Sequence, residues 1–214
     1  MDDVIQFYLN LRTLNKKLGI EFGQKFPTGE NAFGMLHNTS TLASELLDSY
    51  KIKWTGINTV GYTQEQIDSS EEQNRQRVTA IERMVYIQTI SEIEFCSKLM
   101  VDSLQIKSLQ EIKKNLDEQA PKQKNFRVYL KNIMYESQKI NLISKNSFDK
   151  WHNLIVFRNC CIHNNTIPEK DDDVVIGDMT IHYRKGKQIQ GDLLFIPKLT
   201  EKVVNLYKEW TDAL

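Results

Sequence analysis

Late in the chain, Phe157-Arg158-Asn159-Cys160-Cys161-Ile162-His163-Asn164 gathers the side chains best suited to chemistry. An imidazole exchanges a proton near neutral pH, and a guanidinium grips two oxygens of one anionic group. Asn159, directly after the arginine, can orient either partner. The segment reads as the end of a helix whose Trp151, Leu154, Ile155 and Ile162 form a buried stripe. Arg158 falls in the middle of that stripe, where an unpaired guanidinium costs several kcal/mol. Glu92 lies within about 40° of the stripe that Val78, Val85 and Cys96 set on another helix, so it is the expected partner of Arg158. His152, Asn159 and His163 form a second, polar file; Asn159 and His163, at i and i+4, are neighbours on the surface. A purely structural role is open to both outer residues: a buried ion pair for Arg158 and a helix-end cap for His163.

Other chemistry has little support. Four histidines with no Cys/His spacing of metal type predict no zinc, and no metal or cofactor is expected. Asp171-Asp172-Asp173 has the carboxylates to hold a divalent cation, but reads first as a solvated loop between helix and hairpin. Cys160 and Cys161 read as small packing residues, since no paired base accompanies them. Dinucleotide, Walker, GxSxG and HExxH signatures are absent.

The elements that must position these residues are mostly helical, because glycines number 9 and prolines 4. Phe7, Leu11, Leu14 and Leu18 predict a first helix stopped by Gly19, followed by a loop over 20–35. Leu42, Leu46 and Leu47 predict a helix over 41–50, and the polar stretch 55–74, with Gly56 and Gly61, reads as a linker. From Glu71 to Leu104 there is neither Gly nor Pro, and Val78, Ile81, Val85, Cys96 and Leu99 share one stripe. That is the long central helix of a bundle. Helices over 104–118 and 122–140 follow. Asn146 or Ser147 is the expected cap of the helix ending at His163, and Asn164 and Asn165 suit a left-handed terminus. Strands over 174–183 and 188–196, turned at Arg184-Lys185-Gly186-Lys187, predict a β-hairpin. A last helix, capped by Thr200, carries Val203, Leu206, Tyr207, Trp210 and Leu214. The fold class is therefore mainly α: a helical bundle with a β-hairpin before its C-terminal helix. Residues 1–70 are expected to pack as N-terminal helices and a polar loop on a bundle formed by 71–214, in one compact unit.

An Arg-x4-His with a polar residue directly after the arginine, near the end of a bundle helix, is similar to the motif of the HEPN superfamily. The resemblance covers roughly residues 71–214 and rests literally on Arg158, Asn159 and His163. Some members carry a Tyr two residues beyond the His, where this chain has Asn165, so that subtype is disfavoured. The resemblance implies a HEPN-like bundle and a metal-independent endoribonuclease in a toxin–antitoxin or phage-defence setting, with RNA as substrate. Arg158, Asn159 and His163 would be catalytic, with Glu92 and His152 in support. RNA supplies its own nucleophile, the 2′-hydroxyl; His163 would move the proton and Arg158 would meet the charge building on phosphorus. Five residues along a helix turn the two side chains roughly 140° apart. The resemblance therefore implies a homodimer, which brings two motifs to one cleft. Lys150, Lys185 and Lys187 would draw RNA to it. An antitoxin or regulatory protein is a further expected partner. The alternative is a non-catalytic HEPN-like bundle that binds a nucleotide or a protein.

Composition sets the outer bounds. The chain of 214 residues is long enough for one well-buried core. Lys plus Arg and Asp plus Glu both number 28, so the net charge is zero and the surface is no general nucleic-acid glove. No stretch approaches the ~20 apolar residues of a membrane span. The first residues, MDDVIQFYLN, carry acids where an export signal carries cations. Three cysteines, two of them adjacent, make no disulfide framework. A cytoplasmic protein without membrane association is expected.

Overall fold

The computed structural model describes residues 1–55, 60–119 and 127–214. Among them are seven helices and one two-stranded antiparallel sheet. Residues 122–126 and Gly56, to which the sequence assigned a helix start and a linker turn, lie outside the described residues.

Helix α1 (Asp2–Lys25) buries Val4, Tyr8, Leu11, Asn15, Leu18 and Phe22. Gly19 does not end it. One helical glycine costs only about 1 kcal/mol, less than Phe22 returns by burial on the next turn. Its carbonyl accepts a bond from the Asn31 side chain at 2.8 Å, which fixes the short connection to α2 (Ala32–Thr55). The expected loop over 20–35 thus shrinks to the residues between these two helices. Asn15 donates to the Leu36 carbonyl and to Ser40, tying α1 to α2 inside the core.

Helix α3 (Gln64–Ser103) is the spine. It starts inside the expected linker because Thr63 and Gln66 form a capping box. Val78, Tyr86, Ile90, Ile93, Cys96 and Met100 are buried along it, and it packs against α2 and the helices α4 (Lys107–Gln119), α5 (Leu130–Lys139), α6 (Lys145–His163) and α7 (Phe195–Ala213). Within α7, Val203, Val204, Tyr207 and Trp210 are buried. This helix begins earlier than expected. Pro197 sits in its first turn, where no amide is needed, and Thr200 donates to the Ile196 carbonyl at 3.0 Å instead of capping.

Helix α6 (Lys145–His163) is capped by Ser144, whose Oγ accepts from the Ser147 amide at 3.0 Å; neither Asn146 nor Ser147 is the cap. After it comes the hairpin, shifted from its expected place. Strands β1 (Asp172–Ile176) and β2 (Met179–Tyr183) pair with Ile176 opposite Met179, so Gly177-Asp178 is the turn. Gly177, at φ +65°, supplies the left-handed geometry a two-residue hairpin loop needs. The span read as one strand over 174–183 is therefore the hairpin itself. Arg184–Lys187 is a separate turn, and no strand follows it among the described residues. Gly191 packs flat on Phe195: a Cβ there would lie 2.5 Å from the Phe195 side chain. One contiguous apolar cluster runs through the seven helices and the hairpin.

Candidate functional site

Helix α6 buries Trp151, Leu154, Phe157, Cys160 and Cys161. This stripe is rotated from the expected one: Ile155 is half-buried and Ile162 is 41% exposed. The rotation comes from Phe157, held by edge contacts with Tyr86 and Phe195 at 5.3 and 6.0 Å. Arg158 consequently sits at the margin of the stripe, half-buried in the seam between α6 and α3. Its Nη2 donates to Ser91 Oγ and its Nη1 to Asn159 Oδ1, each at 3.2 Å, while the buried Nε has no partner.

Glu92 does not hold it. The Glu92 Oε1 accepts from Thr39 at 2.7 Å and from Gln88 at 3.0 Å, and its Oε2 is buried without a bond. Burial raises its pKa, against the pull of those two donors. Glu92 does lie near the apolar stripe of α3, but on the side facing α2; Ser91, one residue earlier, faces α6.

His163 ends α6 and is exposed. It opens onto a cleft of about 630 Å³ whose α6 side is Val156, Asn159, Cys160 and His163, and whose other side is Pro168, Glu169 and Lys170, with Tyr183 beneath. A backbone reversal builds that second side. Asn165 and Thr166 both take left-handed conformations, at φ 47° and 64°, and the Thr166 amide returns to the Cys160 carbonyl. Asn164 keeps a negative φ, unlike its expected role. A β-branched residue at positive φ is strained, which is why Thr166 gave no signal in the sequence. The turn is braced by Arg83, which donates to Asn165 Oδ1 at 2.5 Å.

The remaining candidates divide. Asn159 belongs to both places, bonded to Arg158 and lining the cleft with His163. Arg158 does not line the cleft. Lys185 and Lys187 are exposed on the turn behind its far wall, joined to it by bonds from the Gly186 amide to the Pro168 carbonyl and from the Lys185 amide to Asp171. Lys150 borders a different hollow, with Gly177, Lys202 and Glu209. His152 is half-buried and stacks on Phe148, away from the cleft; burial, then Lys131, lowers its pKa. Burial pushes the Cys161 thiol up to about 12 and raises that of Cys160, the opposite of an activated nucleophile. Asp172 and Asp173 lie in β1 rather than a loop, with Asp173 accepting from Arg184 and His182. Among the described residues no three metal-ligating side chains cluster.

One feature escaped the sequence reading. Met84, Gln88, Ser91 and Phe95 form a ridge at i, i+4, i+7 and i+11 on α3, with Met84 59% and Phe95 51% exposed. Beside it on α2 run Met35, Thr39, Leu42 and Leu46 at the same spacing, joined through the Thr39–Glu92 bond. On the other side lies α6 with Ile162, joined through Arg158 and Ser91. Arg158 thus sits beside α2, α3 and α6 where they expose Met35, Leu42, Leu46, Met84, Phe95 and Ile162.

No family model, curated protein or solved structure matches this chain. No helix among the described residues is long and apolar enough to cross a membrane.

Proposed function

We propose that this chain is a metal-independent endoribonuclease of the HEPN type, acting as a homodimer in a toxin or phage-defence system. The observation that carries the reading is the arrangement on α6: Asn159 is hydrogen-bonded to Arg158 and shares an open cleft with His163. In a dimer closed through the α2–α3–α6 face, two antiparallel copies of α6 set Arg158 of one copy toward His163 of the other. The 2′-hydroxyl attacks phosphorus. His163 carries the proton, and the 5′-oxygen leaves with one to become a 5′-hydroxyl. The phosphate remains as a 2′,3′-cyclic ester. Arg158 meets the equatorial oxygens, its fork pre-set by Ser91 and Asn159. Lys185 and Lys187 attract the strand from behind the cleft, and an antitoxin or regulatory protein would bind the folded dimer.

The test is cleavage of total and transfer RNA in EDTA by wild type and His163→Ala, with end-group analysis. Cleavage to a 2′,3′-cyclic end, lost in a variant that keeps its fold and dimer, is expected. Equal cutting by both proteins would refute the role of His163. A second reading, a non-catalytic HEPN-like bundle that binds a nucleotide or a protein, draws on the size of the apolar face and the net charge of zero. An inert wild type that still binds RNA or nucleotide would favour it.

A further inference from the structure

We infer that the cleft beside His163 is a base-reading subsite that seats one guanine of the RNA, with Glu169 as the residue that selects it; this rests on the nuclease reading above. The cleft has the volume of a small-ligand site, about 630 Å³. The apolar surface open to a flat ring is mainly that of Val156, which is 39% exposed; Cys160 and Pro168 line the cleft but are themselves buried. The polar groups stand at the rim. Glu169 forms no ion pair among the described residues, and a single bond from Asn164 Nδ2 to its Oε1, at 3.4 Å, orients it.

A carboxylate offers two acceptors and no donor. Guanine is the base that presents two adjacent donors, N1–H and N2–H, on its Watson–Crick edge. The other three present at most one donor group beside an acceptor, which would face a carboxylate oxygen. Single-stranded RNA is read in this way, by unstacked bases bound on that edge. The negative charge of Glu169 in a site for an anionic polymer is offset by Lys185 and Lys187 on the turn behind the wall, whereas Lys170 is paired with Asp172 at 3.4 Å. The left-handed Asn165–Thr166 reversal, held by the Thr166 amide on the Cys160 carbonyl and the Ile189 amide on the Thr166 carbonyl, lays Pro168–Lys170 over α6 as the far wall.

The experiment titrates the full-length protein with 3′-GMP, 3′-AMP, 3′-CMP and 3′-UMP by calorimetry, for wild type and Glu169→Gln, and maps cleavage sites on a mixed-sequence RNA. Tighter binding of 3′-GMP by about tenfold or more is expected from a bidentate contact, together with loss of that preference in Glu169→Gln at unchanged melting temperature. Cleaved bonds should flank guanines. Equal affinity for the four nucleotides, or a preference that survives Glu169→Gln, overturns the inference. Cleavage without a guanine preference overturns it while leaving the nuclease standing. Guanine selectivity in a protein that never cleaves supports the subsite and removes the nuclease reading instead.

Discussion

Glu82 is the most exposed to test of the buried groups, because it titrates where proteins are handled. It lies on α3 with 1% of its surface accessible, where Tyr8 of α1 and the Asp192 segment ahead of α7 approach it. No cation closes on it among the described residues, and its Oε1 is sealed without a hydrogen bond. Burial first, then the charge of Asp192, raise its carboxyl to about 8, with the chain's amino terminus pulling the other way. The unfolded chain releases that proton near a pKa of about 4.3. Between these values the native state holds a proton that the unfolded state lacks. Stability therefore falls as pH rises, by at most about 1.4 kcal/mol per pH unit, and the fall ends above the native pKa.

The slope flattens as the native pKa is reached, so between about pH 6 and pH 8 the loss is about 2 kcal/mol, or roughly 4–8 °C in Tm for a domain of this length. Glu82→Gln keeps the shape and removes the titration. Thermal or urea unfolding of both proteins across that range should show the stability difference moving in favour of the variant by about 2 kcal/mol from the acid to the alkaline end. Parallel profiles would refute the reasoning, since they would mean that Glu82 is ionised in the native state at every pH measured.

Three further outcomes follow from the same geometry. Phe95→Glu places a charge on the exposed ridge of α3 and should convert a wild-type dimer to monomer in sedimentation with Tm changed by less than about 2 °C, as surface substitutions usually do; an unchanged dimer would move the interface elsewhere. Arg158→Lys replaces a planar fork that reaches Asn159 and Ser91 from two nitrogens by a single point charge without bidentate geometry, so RNA cleavage should drop by about tenfold or more at constant Tm; full activity would remove the arginine from the chemistry. Gly191→Ala must displace Phe195, which packs on Phe157 of α6, and should cost about 1–3 kcal/mol in chemical unfolding; a neutral result would show that α7 can slide.

The helices were legible in the sequence wherever one apolar stripe dominated. Val78, Val85 and Cys96 fixed the face of α3, and Val203, Tyr207 and Trp210 that of α7. Reading failed where local signals compete with tertiary ones. Gly19 looks like a stop until Phe22 and Phe26 pack beyond it, and Gly177-Asp178 was overlooked because Arg184–Lys187 is the more conspicuous turn. The site was legible in residue type but not in partnership. Helical spacing gives an angle about one axis only, so Glu92 and Ser91, adjacent in sequence, are told apart by the positions of α2 and α6. Thr166 could not be anticipated at all, since its conformation is imposed by the bond from its amide to Cys160 and by the Ile189 amide on its carbonyl.

The divided position of the motif is itself an argument about how the chain would work. On one copy of α6, Arg158 points to the α3 seam and His163 to the cleft, with Asn159 between them. A helix is about 10–12 Å across with its side chains, so one phosphate cannot meet both residues from the same copy without leaving one of them. An antiparallel second helix reverses the order of the two flanks and brings the missing residue from the other side. The same docking would cover Met84, Phe95 and Ile162, and by excluding water around Arg158 would strengthen its hold on a phosphate. Association and catalysis would then be one equilibrium. Activity per chain should rise with protein concentration until the dimer is complete, and Phe95→Glu and Arg158→Lys should fail by different routes: the first is recoverable at high concentration and the second is not.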